Sequence, residues 1–554
     1  MTANPLEKQL IELKDMLAVM TKSMASLQAS LDAANAREEE HLRKEKLLQE
    51  QVAYLTNKLY GSSSEKHKAP IDGQLSIFDE LETEAATLDS GDCDVPADEE
   101  YETVSFTRKK KITQEEKFAN LPVEERIIEL PEDQRICETC GTELTYVGKE
   151  FLRRELSFIP AKVKIVEIYS ATYECRKCKK ETGIPHIVKS RDGHYHMIHG
   201  MASASTIAWV LYQKYCNSIP LYRQEKDWKL YGCDLSRATM ANWIIMNALD
   251  YFKPMCDFFS RHIVSRSHAM ADETPVQVLK EKDRDASSKS YMWVFRTGEF
   301  LDKQAIVYKY APTRSGRIAA DFFRGFHGYL MCDGFSGYNA VDSEIKRTGC
   351  FAHARRYLLD AVPKKDQMDL TIPAIQGAAY INKLFDLEKK IHSTARSRDE
   401  IKKRRLKSEK PVLDALWEWL DQQEPMKGTK FHKAVTYLRN QKPYLELYLE
   451  DGYCSFSNNA SERCCKDFVV GRKNWLFSDS AKGADASAYA YSVIQTAKAN
   501  GVNVYHYLCF LLDNAPTSTR TDEELEKLAP WNQAVKDEIL ERELRASQGS
   551  TSTN

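Results

Sequence analysis

The sequence predicts a multidomain α+β chain: helical N-terminal segments, a small cysteine-rich module, and a mixed α/β domain interrupted by a helical insertion. Three observations predict it. A leucine- and methionine-rich seam with three- and four-residue steps opens the chain. Two Cys-x-x-Cys pairs follow, at 137–140 and 175–178. From His268 onward β-prone runs alternate with helical ones, and two of those runs carry an acid where packing alone would place an apolar residue.

Composition narrows the class. The chain's 554 residues have room for three or more domains, and a 42% hydrophobic content is ample for their cores. The formal net charge of -2 gives no global basic field. Acids crowd residues 79–102, and bases crowd 108–111, 176–180 and 402–407, so a polyanion would meet patches rather than the mean. No run approaches the roughly 18–20 apolar residues of a membrane span. Glu7, Lys8, Glu12 and Lys14 interrupt any apolar leader, so no membrane association is expected. Fourteen cysteines, ten of them scattered, do not form a disulfide framework and suit a reducing cytoplasm.

Taken in order, residues 1–60 carry Leu6, Leu10, Leu13, Leu17, Met20, Met24, Leu27 and Leu31 on one heptad seam, which resumes at Leu48, Val52, Leu55 and Leu59. This predicts a coiled coil that self-associates, against the alternative of one amphipathic helix packed on its own chain. Residues 61–114 are polar, acidic and then basic, the composition of a linker with low order. In 115–195, Cys137 and Cys140, then Cys175 and Cys178, place two thiolate pairs on tight turns. The 34 intervening residues are β-prone, as in Val163-Lys-Ile-Val-Glu-Ile-Tyr169. Two knuckles joined by a hairpin describe a zinc ribbon, and four thiolates close a structural Zn²⁺ site with no open position. Lys177, beside the second knuckle, is a candidate DNA contact.

Residues 196–262 read as helical. A helix over 205–215, a second over 221–231, a Gly232 turn and a third helix capped by Ser236 match a helix-turn-helix, with Arg237 and Asn242 offered to a groove. Three-helix packing without a DNA role fits the same pattern.

Residues 263–500 form the mixed domain. Strands are expected over 269–279, 291–297 and 305–310, then a helix over 315–326, then a strand over 328–333 ending in Asp333-Gly334. Asp272 lies in the first strand. Three strands, a helix and a fourth strand, with acids on the first and fourth, is the order of an RNase H-like α/β fold. A helical insertion spans about 357–451, and its Lys402-Lys-Arg-Arg405 cluster either lines a DNA path or is a solvated face. The chain returns at Ser457-Asn-Asn-Ala-Ser-Glu-Arg463, a helix start. Glu462 there has two readings, a third functional carboxylate or the closing residue of a capping box with Asn459. Residues 501–554 hold a helical segment and, from Pro516, a tail expected to lose order.

These residues resemble the DDE transposases of bacterial insertion sequences, specifically the insertion-sequence-sixty-six family. The resemblance rests on Leu59-Tyr-Gly-Ser-Ser-Ser-Glu-Lys66, both cysteine knuckles, Ile219-Pro-Leu-Tyr-Arg-Gln-Glu225, Ala271-Asp-Glu-Thr274, Cys332-Asp-Gly334, Cys350-Phe-Ala-His-Ala-Arg-Arg356, Asn458-Asn-Ala-Ser-Glu-Arg463, Gly471-Arg-Lys-Asn-Trp-Leu-Phe477 and Thr496-Ala-Lys-Ala-Asn-Gly501. Ser457 departs from the acidic residue expected before the Asn pair, and Val504 from a common Pro. The resemblance implies that Asp272, Asp333 and Glu462 are the catalytic acids, and that they hold Mg²⁺, or Mn²⁺ in its place, for cleavage and joining of DNA strands. It assigns the four cysteines to a zinc-binding region and residues 1–60 to a zipper. It also implies transposon ends and target duplex as partners, self-association, room for accessory proteins of the same element, and work at the nucleoid in a bacterial cytoplasm.

Arg355, Arg356, Arg463, Arg472 and Lys473 are further candidate DNA contacts, with a surface ion pair as the alternative for Arg463; His353 could also contact DNA and Trp475 stack on a base, with core burial as the alternative for both. Two other functions compete. A zinc-ribbon and helix-turn-helix regulator without catalysis explains residues 1–250 but not the acids. An RNase H-like nuclease that cuts without joining explains the acids equally well.

Overall fold

The computed structural model describes residues 202–549 continuously, with a strand pair and isolated positions before them. The chain divides into two units, Met1–Glu124 and Glu125–Asn554. In the first, the described positions Met20, Thr21, Met24, Gln28 and Asn35 are helical, and the seam residues Met20 and Met24 are exposed. The linker, Cys137, Cys140, Lys177 and Cys178 lie outside the described residues. No helix among the described residues is long and apolar enough to cross a membrane.

In the second unit, β1 (Thr172–Cys175) pairs antiparallel with β2 (His186–Lys189), Cys175 opposite His186. Of the hairpin expected between the knuckles, residues 141–162 lie outside the described residues. Residues 163–167 carry no strand and leave Val163, Ile165 and Val166 exposed, while the pairing runs into the second knuckle. β-branched residues favour a strand only where a face is buried, and this run has none.

The three predicted helices are present as α1 (Ala204–Tyr215), α2 (Leu221–Leu230) and α3 (Arg237–Asn247). The Ser203 and Ser236 hydroxyls accept from Thr206 N and Thr239 N, which starts α1 and α3. Gly232, at φ +76, makes the turn between α2 and α3. A π turn, Ala248–Phe252, leads into α4 (Lys253–Val264). Ile207, Leu211, Met240 and Ile244 join the same apolar core as the sheet that follows.

That sheet holds β3 (His268–Lys280), β4 (Lys289–Thr297) and β5 (Ile306–Ala311), then, after α5 (Arg317–Phe322), β6 (Tyr329–Met331). A 3-10 turn, Ser336–Ala340, precedes β7 (Lys346–Thr348). The strand order is β5-β4-β3-β6-β7, with β4 antiparallel to both β3 and β5, and β6 and β7 parallel to β3. β7, three residues long, is too short to announce itself in sequence. On one face, Trp293 and Phe295 meet Tyr338 and Phe322 at ring distances of 6.0 and 3.9 Å.

The insertion begins after α6 (Phe351–Asp360) and contributes α7 (Pro373–Thr394), α8 (Arg398–Ser408), α9 (Lys410–Asp421) and α10 (Lys430–Leu445). Leu384, Leu413, Leu416 and Leu438 are buried there but stand apart from the sheet's core. One expectation for this region fails. Arg405 lines no DNA path, because it is fully buried. Its Nε and Nη2 reach the Glu388 carboxylate at 2.6 and 2.9 Å, and its remaining N–H groups donate to the carbonyls of Tyr448, Asp451 and Cys454. Burial pushes Glu388 up, but hydrogen bonds from His392 and Arg405 outweigh it and hold the carboxyl below its usual range.

Glu409, close by, behaves oppositely. Burial first, then the Glu388 charge, pushes it up to about 9 from 4.5. A carboxyl raised on folding binds its proton more tightly in the folded state, so stability falls as pH rises between those two values. The melting temperature is therefore expected to drop between about pH 6 and about pH 9. Glu409→Gln, which keeps the shape of the neutral acid, should lose much of that slope. Parallel slopes in the two proteins would assign the proton elsewhere.

The chain returns through α11 (Asn459–Trp475), β8 (Ser478–Ser480), which pairs parallel to β3, and α12 (Ala481–Ala499), which packs on β5. α13 (Val504–Asn514), α14 (Asp522–Glu526) and α15 (Gln533–Gly549) close it. The described part of the tail, up to residue 549, carries these last two helices, and residues 550–554, where order is expected to be lost, lie outside the described residues. Leu525, Leu528, Trp531, Val535 and Ile539 are buried, with Trp531 against Phe258 and Phe259 of α4. Their three- and four-residue spacing outweighs the Ser, Thr and Glu between them.

Candidate active site

The register between β3 and β6 sets the site. The strands run parallel with Met270 opposite Met331. Asp272 and Asp333 each lie two residues further on, so the two acids come level at the carboxyl end of β6, the end where parallel sheets present ligands. Strand alternation gives Asp272, opposite Val294 of β4, the face shared with Arg296. Arg296 Nη1 donates to the Ala460 carbonyl at 3.1 Å, which marks this face as the one α11 covers.

Asn458 fixes the start of α11. Its Nδ2 donates to the Ala271 carbonyl at 3.0 Å, one residue before Asp272. Asn458 rather than Asn459 is the N-cap, and it makes no side-chain capping bond, so the capping box of Asn459 with Glu462 does not form. Glu462 N donates to the Asn458 carbonyl at 3.0 Å, in the first turn. Its carboxylate meets Arg356 Nη2 at 3.3 Å and His353 Nδ1 at 3.6 Å, both from α6. Burial holds His353 below its usual value, against the pull of Glu462.

Electrostatics link the three acids. Burial first, then the charges of Glu273, Asp333 and Glu462, push Asp272 up to about 8. The Asp272 and Asp333 carboxylates each accept one nearby backbone N–H, from Glu273 at 2.9 Å and Phe335 at 3.0 Å. Tyr437 of α10 covers the turn after Asp333, and a Cβ at Gly334 would meet its ring at 2.6 Å. Glycine at 334 is therefore a packing requirement. Among the described residues no three His, Cys, Asp or Glu side chains stand as a metal cage, and Glu462 is engaged with Arg356 and His353.

The predicted DNA contacts divide. Arg356 pairs with Glu462, Arg355 donates to Asn382, and Arg472 donates to the Pro275 carbonyl. Arg463, Lys473, Arg237 and Asn242 are exposed. Trp475 packs edge-on to Tyr215 with Lys214 over its ring at 4.1 Å, as its core alternative expected. Sequence reasoning missed Glu273, Arg314 and Tyr338, which adjoin the acids. Period-two alternation placed Glu273 on the face opposite Asp272, but nothing local pointed to its partners.

Comparison with known proteins agrees in order along the chain. The model described as the transposase IS66 family matches residues 199–486, and the zinc-finger binding domain of transposase IS66 matches 134–179. The IS66 C-terminal element matches 492–531, and a model described as transposase C of IS166 homeodomain matches 47–126. The first of these covers more than half of the chain, and the chain belongs to the IS66 transposase family. Similar full-length relatives come from Sinorhizobium fredii. The uncharacterized protein y4jD is 27% identical over 88% of this chain and 94% of its own length. The uncharacterized protein y4qI is 26% identical over 94% and 96%.

Proposed function

We propose that this chain is a DDE transposase that binds the ends of its insertion sequence, cleaves DNA strands there and joins the freed 3′ hydroxyl to target DNA. The reading is supported by the β3–β6 register, which puts Asp272 and Asp333 level at one end of the sheet, and by the charge that Asp333 and Glu462 exert on Asp272. The strand order, three antiparallel strands followed by two parallel ones, supports an RNase H-like catalytic domain.

The donor set fits a hard divalent cation. Three carboxylates offer oxygen ligands only, and burial first, then the neighbouring acids, push the Asp272 carboxyl up to about 8, a penalty on its charge that a bound cation would offset. Asp272, Asp333 and Glu462 would hold Mg²⁺ or Mn²⁺, which supplies Lewis-acid activation of the attacking oxygen and charge stabilisation of the leaving one. The protein's own part is placement. Asn458 seats α11 against β3, the Phe335 N–H orients Asp333, and Arg356 pairs with Glu462 beside the His353 ring. With water as attacking group the strand is cut, and with a 3′ hydroxyl it is joined, so one site serves both steps.

Cys137, Cys140, Cys175 and Cys178 would hold structural Zn²⁺, supported by the zinc-finger match that spans all four. The heptad seam of residues 1–60 supports self-association, and α2–α3 with exposed Arg237 and Asn242 supports a duplex contact. The joining assay decides between this reading and a nuclease or regulator. Duplexes from the two non-coding flanks of the chain's own reading frame are incubated with target DNA and Mg²⁺. Covalent joints are expected. Hydrolysis alone would favour a nuclease, and binding alone a regulator.

A further inference from the structure

We propose that Arg314 is a DNA-phosphate-binding residue at the mouth of this site, aimed there by Glu273 and Phe335; the proposal rests on the phosphoryl-transfer reading above. Glu273 follows Asp272 but sits opposite Trp293 of β4, on the other face of the sheet, with a side chain 1% exposed. Both its oxygens are in use. Tyr338 OH donates to Oε2 at 2.7 Å, and Arg314 donates to Oε1 through Nε at 2.7 Å and also through Nη2. Glu273 is therefore committed to holding its partners.

Arg314 is held on a second side. Its guanidinium carbon lies 3.9 Å from the centroid of the Phe335 ring. Phe335 is the residue whose N–H orients Asp333. Two residues after Arg314, Gly316 packs on the Gly337 carbonyl with no room for a Cβ, so the Arg314 segment and the Asp333 loop form one body. The guanidinium plane is thus set by a buried carboxylate and a ring. Yet the side chain stays 41% exposed, and Nη1 has no protein partner among the described residues.

Satisfying the buried Glu273 carboxylate accounts for Nε and Nη2 of Arg314, but not for the exposed edge that carries Nη1. A substrate explains it better. A DNA strand approaching Asp272, Asp333 and Glu462 brings phosphates toward acidic side chains, and a fixed cation beside Asp333 lowers that cost. A guanidinium does so with a directed N–H edge that matches phosphate oxygens. Arg355, Arg356 and Arg472 already have protein partners near the site, while Arg314 keeps one edge open.

The test measures duplex binding against salt, and Mn²⁺-dependent cleavage, with full-length protein and the flanking duplexes described above. The double variant Arg314→Ala with Glu273→Gln removes both charges, so no buried carboxylate is stranded. Its plot of log affinity against log salt is expected to lose about one unit of slope, as for one lost phosphate contact. Cleavage should fall roughly ten- to a hundredfold at an unchanged Mn²⁺ midpoint, from about 1.4 kcal/mol per tenfold. Arg314→Lys, which retains the Glu273 pairing, should keep the slope and recover part of the cleavage. Wild-type slope and cleavage in the double variant would overturn the proposal. So would a tenfold shift in the Mn²⁺ midpoint for Glu273→Gln alone, which would make Glu273 a metal ligand. If wild type and Asp272→Asn both fail to cut, the phosphoryl-transfer reading falls, and the salt slope still decides whether Arg314 meets DNA.

Discussion

Asp272→Asn is expected to abolish cleavage and joining while leaving the protein folded and slightly more resistant to heat. Asparagine keeps the shape but offers a weaker, neutral ligand. Losing several kcal/mol of transition-state stabilisation corresponds to roughly a thousandfold or more in rate. The stability change runs the other way. A carboxyl raised from 3.8 to about 8 on folding binds protons more tightly when folded, so it contributes least to stability above that range. Without divalent cations, the variant should melt above wild type at alkaline pH and near it in acid. Wild-type joining by Asp272→Asn would remove this residue from the chemistry. Lost joining together with a lower melting temperature would point to simple misfolding.

The largest stability effect is expected at Arg405. Arg405→Ala strands Glu388 in a buried setting and leaves the Tyr448, Asp451 and Cys454 carbonyls without a donor. Removing one partner of a buried pair costs about 3–5 kcal/mol, which should lower the melting temperature by roughly 10 °C. The double change Arg405→Met with Glu388→Met should recover most of that loss, because apolar side chains of similar volume leave no charge buried. Calorimetry of the single and double variants measures both. A single variant that melts like wild type would mean the pair contributes nothing. Because the Arg405 carbonyl partners lie just ahead of α11, the single variant should also lose joining activity through Glu462.

The contrast between these two residues shows what local sequence carries. Asp272 and Asp333 were legible because an acid inside an apolar β-prone run violates the burial pattern around it. Gly232 and Ser236 were legible because turn and cap chemistry act within four residues. Arg405 was not, because nothing in Lys402-Lys-Arg-Arg405 separates the buried arginine from its exposed neighbours. Its fate depends on Glu388, 17 residues earlier, and on carbonyls 43 to 49 residues later. Glu273 lies beside the most visible acid in the chain, yet its partners Arg314 and Tyr338 stand 41 and 65 residues away. The pairing of Glu462 with Arg356 spans 106 residues and is likewise set by the fold. The last helix carries a sequence signal in the four-residue step from Val535 to Ile539, both buried, but composition pointed the other way.

The central claim is that three carboxylates from β3, the end of β6 and the first turn of α11 share divalent cations. Anomalous diffraction from crystals of the full chain grown with Mn²⁺ and duplex DNA tests it directly. The account predicts a manganese peak bounded by Asp272, Asp333 and Glu462, with Glu462 turned away from Arg356. A peak that excludes Glu462, or Glu462 still held by Arg356 in the DNA-bound state, would contradict it.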